Sequence, residues 1–138
     1  MVSNIIRRKL LVAIESIAIT TSGKTITLFL PEGQYHELGL VYVHYLCKSK
    51  GINTIYLGAD VPMADLEIVV KAKKPDFLFS HIITSSHRFN FEKFLHNLNR
   101  KIEETPVIIS GPITLTYKKS LSPNFKFVSS LSAVKDLL

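Results

Sequence analysis

The residues best suited to chemistry lie in a run that reads Pro31-Glu32-Gly33-Gln34-Tyr35-His36-Glu37-Leu38-Gly39. His36 falls where a strand gives way to a helix. A neutral imidazole presented there is a good ligand for a transition metal. Gln34, two residues upstream, is placed to hydrogen-bond the other ring nitrogen and so fix the tautomer. Gly39 lets the following helix approach something bulky or a neighbouring strand. The same run also reads as an ordinary loop that happens to hold a histidine. A second candidate is Ser80-His81-Ile82-Ile83-Thr84-Ser85-Ser86-His87. Ser80 and Thr84 can donate to an acceptor on a flat ligand while Ile82 packs beneath it, or the hydroxyls can serve common turn chemistry. Gly111 in Ser110-Gly111-Pro112 permits close backbone contact with a ligand, and it also suits a plain turn. Gly58-Ala59-Asp60-Val61-Pro62 reads as a turn.

These segments need a frame that brings them to one edge, and the hydrophobic pattern supplies it. Ser3 to about Ile19 has apolar residues at helical spacing. Thr25–Leu30, Asn53–Leu57, Asp76–Ser80, Pro106–Ser110 and Phe125–Val128 read as strands, rich in β-branched and aromatic residues. Between them lie helices over Tyr35–Lys50, Met63–Lys73 and Asn90–Glu103, with a short one over Ile113–Ser120 and a last one over Ser130–Leu138. The strands carry apolar residues at successive positions, as a sheet covered on both faces requires. Strand and helix alternate, so the expected fold is α/β: a doubly wound, mainly parallel five-stranded sheet, flavodoxin-like or Rossmann-like, preceded by one amphipathic helix. Residues 1–22 form that helix and its connector, and 23–138 the sheet domain. Such sheets bind ligands beyond the carboxyl ends of their strands, where the candidate loops lie.

Composition narrows the function. The 138 residues suit one domain, and the apolar fraction of 46% is too high for a disordered chain. No apolar run approaches the ~18 residues of a membrane span. A single cysteine, Cys47, excludes an internal disulfide and a cysteine-based zinc site, and points to a reducing, cytoplasmic setting. The net charge of +6 permits contact with nucleic acid, but Lys and Arg are spread along the chain without a basic stripe. A dinucleotide site wants Gly-x-Gly-x-x-Gly after the first strand, which Pro31–Gly39 lacks. A phosphate-accepting receiver wants acidic residues at the strand ends, where this chain has Gln34, Leu57 and Ser80. No Ser-His-Asp or Cys-His constellation is indicated.

Taken in order, Gln34-x-His36-x-x-Gly39, Leu57-Gly58-x-x-Val61-Pro62, Ser80-x-Ile82-x-Thr84 and Gly111 resemble the signature of cobalamin-binding domains, Asp-x-His-x-x-Gly, Ser-x-Leu and Gly-Gly. The resemblance spans about residues 25–138. It implies cobalamin as cofactor, with His36 as the metal ligand on the lower axial face of cobalt and Gln34 as its hydrogen-bond partner. By the same resemblance, Ser80, Ile82 and Thr84 contact the displaced benzimidazole or its tail, Gly111 lines the tail's channel, and Gly39 belongs to the cofactor site. Gln34 stands where the signature has an acid, Ile82 where it has leucine, and Pro112 where it has the second glycine.

Val2-Ser3-Asn4-Ile5-Ile6-Arg7, followed by Leu30–Gly39, is similar to the C-terminal effector region of MerR-type transcriptional regulators. That likeness implies a sensory module rather than an enzyme, controlling the oligomeric state of a regulator. The regulator would contact DNA through a winged-helix domain not found in these residues. The first helix would be the last of a helical bundle, so the chain is expected to be a fragment of a longer protein. Self-association through this helix is expected, and no membrane partner. Two alternatives use the same frame: a corrinoid-carrying subunit of a methyltransferase or mutase, and a cofactor-free protein-interaction module.

Overall fold

The computed structural model describes residues 2–16, 23–83, 89–102 and 104–138. Helix α1 (Val2–Ser16) comes first. The sheet unit follows as β1 (Thr25–Pro31), α2 (Leu38–Ser49), β2 (Asn53–Val61), α3 (Met63–Lys73), β3 (Phe77–His81), α4 (Phe91–Ile102), β4 (Val107–Ser110), a 3-10 turn (Pro112–Leu115), β5 (Phe125–Val128) and α5 (Leu131–Leu137). The five strands pair in the order β2-β1-β3-β4-β5, every pair parallel. The expected doubly wound α/β sheet is therefore present. Among the described residues no helix is long and apolar enough to cross a membrane.

Side-chain alternation divides the core in two. On one face Phe29, Leu78 and Ile109 pack against α3 and α4 through Leu66, Val70, Phe94 and Leu98. On the other, Ile26, Leu28, Leu30, Phe79 and Ile108 pack against α2 and α5 through Leu40, Val43, Cys47 and Val134. Fully burying each such aliphatic or aromatic side chain contributes about 1.5–3 kcal/mol. Helix α1 lies outside this sandwich and packs on α2. Its Ile14 is buried, while Ile5, Ile6 and Val12 are exposed.

Three expected boundaries differ by more than one residue. Gly58–Val61 is not a turn: β2 runs on to Val61. Its register against β1 shifts between Leu28 and Phe29 and again before Pro31, so extra β2 residues are absorbed as bulges. Gly58 (φ 81°) and Asp60 (φ 56°) supply the left-handed conformations of that irregular stretch. Helix α2 starts at Leu38, not Tyr35, which leaves His36 in an irregular segment. Ile113–Ser120 is not a helix but the single 3-10 turn Pro112–Leu115. The expected extension of the first helix to Ile19 falls outside the described residues from Ile17 onward.

Candidate functional site

The loop bearing His36 is built from the backbone outward. Strand β1 ends at Pro31, and the N–H of Gln34 returns to the Pro31 carbonyl at 2.9 Å, closing a tight turn. Gly33, at φ 90°, makes that turn possible. Asp60 then clamps the loop from the end of β2: its Oδ1 accepts from the Gly33 N–H at 2.9 Å, and its own N–H donates to the Gln34 carbonyl at 3.1 Å. The bulged, left-handed end of β2 thus exists to reach the loop. Gln34 is buried, while Tyr35 and His36 point to solvent. The His36 ring makes no hydrogen bond among the described residues. The expected bond from Gln34 to His36 is therefore not formed.

Glu37, the next residue, fixes the start of α2. Its carboxylate accepts from the Tyr56 hydroxyl at 2.9 Å and lies 3.7 Å from the Arg7 guanidinium of α1. Burial, then the hydrogen bond and charge of Glu37, push the Tyr56 hydroxyl well above its ordinary pKa, so it stays a donor. His44, about two turns further along α2, packs against the Tyr56 ring with centroids 5.0 Å apart. Burial, aided by the charge of Lys48, lowers His44 from 6.5 to about 4, so its ring is neutral near pH 7. Arg7 and Asn4 of α1 join Tyr35, His36, Gly39 and Ile83 around an open cleft of ≈ 520 Å³. The imidazole of His36 is thus available at the rim of a space large enough for part of a sizeable ligand. Among the described residues no cluster of His, Cys, Asp and Glu has the makings of a self-sufficient metal site.

The other predicted residues gather less completely. Gly39 is in the first turn of α2, and a Cβ added there would lie 2.5 Å from Cδ2 of His81. His81 Nδ1 lies 2.7 Å from Ser110 Oγ, and burial lowers the pKa of its ring. Gly111, at φ 116°, lies flat on Ile82: a Cβ there would fall 2.2 Å from the Ile82 carbonyl oxygen. On the side where a Cβ would stand, Gly111 meets that backbone. Ile82 is fully buried and belongs to the core on the α3–α4 face. Ser80 is fully buried too, with an Oγ that finds no partner among the described residues. By alternation it shares the face of Leu78 and its register partner Ile109, away from α2. Thr84 lies outside the described residues. The residue that sequence reasoning undervalued is His81. Alternation puts it on the face of Phe79, but only the fold sets that face against the one glycine of the first turn of α2.

A sequence profile described as the B12 binding domain matches residues 24–130. The chain belongs to that family. Among characterised relatives, this B12-binding domain is 28% identical over 109 residues to the HTH-type transcriptional repressor CarA of Myxococcus xanthus. That alignment takes in 79% of the chain but only 38% of the relative's length. Similar solved structures include a cobalamin-binding protein from Desulfitobacterium hafniense DCB-2 (TM-score 0.61, 18% identity, 83% of this chain and 57% of that one). The methanol:cobalamin methyltransferase complex MtaBC of Methanosarcina barkeri gives 0.69 at 20% identity, covering 89% and 48%. The monomethylamine corrinoid protein of Methanosarcina barkeri gives 0.66 at 16%, covering 97% and 62%. These structural likenesses establish the fold of the B12-binding domain.

Proposed function

We propose that this B12-binding domain is the sensory module of a MerR-type transcriptional regulator, not an enzyme, and that it holds cobalamin through His36. The observation that carries this reading is the exposed ring of His36, without a hydrogen bond among the described residues, on a loop clamped by Asp60 and facing the cleft that α1 shares. The donor set fits the cofactor. Cobalamin, when bound, supplies a cobalt already held by its corrin nitrogens, so one imidazole suffices where a bare ion would need several ligands. His36 would be that ligand. Arg7 and Asn4 would meet polar groups at the corrin's edge. The likeness to CarA, a transcriptional repressor, supports a regulatory role.

Control of the regulator would follow from population shift. A ligand touching both α1 and the His36 loop stabilises whichever assembly keeps that cleft intact. DNA contact would belong to a winged-helix domain elsewhere in the full-length regulator. A second reading, a corrinoid-carrying subunit, is favoured by the fold shared with the methyltransferase complex and the monomethylamine corrinoid protein.

The test is direct. Protein mixed with hydroxocobalamin and then desalted should stay red, and light scattering should show the oligomeric state moving with the cofactor. Protein that leaves the column colourless refutes the cofactor reading. A red protein of unchanged assembly that co-purifies with a substrate-binding methyltransferase favours the carrier.

A further inference from the structure

His81 has chemistry that the proposed site does not use. It ends β3, with its ring on the face it shares with Phe79, beneath α2. Its Nδ1 is anchored 2.7 Å from Ser110 Oγ at the end of β4. Its Cδ2 edge rests where any side chain on Gly39 would have to be. One imidazole therefore fills the gap between the first turn of the helix that follows His36 and the end of β4. Burial keeps that imidazole neutral at neutral pH, so it needs no counter-charge there.

The next step rests on the reading that His36 ligates cobalt. A cobalamin held that way would have its own benzimidazole off the metal, and the base and its nucleotide arm would need room in the sheet edge beside His36. We propose that His81 is a specificity-determining plug: anchored on Ser110 and seated on Gly39, it occupies the groove the arm would enter, so the domain takes corrinoids without the arm more readily than intact cobalamin. Admitting the arm requires the ring to leave Ser110. One net hydrogen bond of this kind corresponds to a penalty of about tenfold in affinity. Ligation by His36 is untouched by it, so the penalty falls on the arm alone.

Spectrophotometric titration of the chain with diaquacobinamide, which lacks the arm, and with hydroxocobalamin separates the two ideas. Wild-type protein should prefer cobinamide by about tenfold or more. His81→Ala should narrow the preference by about tenfold by tightening hydroxocobalamin, leaving cobinamide unchanged, and the remainder is the cost of taking the benzimidazole off cobalt. Ser110→Ala keeps the ring but removes its anchor, and should narrow the gap in the same direction. Thermal melts monitor folding, and if His81→Ala does not fold, Ser110→Ala decides. Equal affinity of wild type for both corrinoids, or a preference of unchanged size in the folded variants, overturns the plug while leaving His36 ligation standing. If neither corrinoid binds wild type, or if His36→Ala binds both as wild type does, the ligation reading falls and the plug falls with it.

Discussion

Two histidines stand on the same rim in opposite circumstances. His36 is exposed on a loop whose backbone is pinned by Asp60, and its ring makes no hydrogen bond among the described residues. His81 is half-buried, bonded to Ser110 and pressed against Gly39. The first has a fixed mount and a free ring, which is what a ligand to an incoming metal needs. The second has its ring committed to packing. Residue type does not separate them. The difference lies in what the backbone around each has been arranged to do: the bulged end of β2 holds one ring out, and a bare glycine lets the other in.

Substitutions can break that contrast, beginning with the harshest. Gly111→Ala sets a methyl 2.2 Å from the Ile82 carbonyl at a φ of 116°, where neither backbone can yield. Chemical denaturation should show a loss of about 3 kcal/mol or more, or no folding at all. Gly39→Ala meets a side chain rather than a backbone, and the loss should be about 1–3 kcal/mol. Made in a His81→Ala background, the same change should be nearly silent. Strict additivity of the two would mean that the ring does not hold this place in solution. Asp60→Ala removes the clamp on the His36 loop and should cost about 1 kcal/mol. It should also weaken corrinoid binding without moving the ligation spectrum.

The gentlest effect is a slope with pH. His44 binds a proton near 6.5 when unfolded but only near about 4 when folded. Acidification through that window therefore favours the unfolded chain, and stability should fall as pH drops from 6.5 towards about 4. Burial of His81 acts in the same direction. Denaturation midpoints measured across this range should slope less in His44→Leu.

Much of the frame was legible because strand and helix obey different periods. The runs around Ile26–Leu30, Leu78–Phe79 and Val107–Ile109 carry apolar residues on both faces, and only a sheet covered on both sides accepts that. Gly58-Ala59-Asp60-Val61 misled because glycine and aspartate are shared by turns and bulges, and only the partner strand decides between them. The start of α2 misled because Tyr35–Glu37 have helical spacing, but the tie from Asp60 to Gln34 holds the chain out of the helix. The placement of His36 at the strand-to-helix junction and of Gly39 in the first turn of the helix was legible in the pattern. The fates of Ser80, His81 and Gly111 were not, since they depend on which face a residue takes after the strand is in register and on how closely Ile82 approaches.

The central claim is that the side chain of His36 is the cobalt's protein ligand. Electron paramagnetic resonance of cob(II)alamin on protein uniformly labelled with the heavy nitrogen isotope tests it most directly. Ligation by His36 predicts that the axial-nitrogen splitting takes the pattern of the labelled isotope and vanishes in His36→Ala. A splitting that keeps the unlabelled pattern of the cofactor's own base would contradict the account.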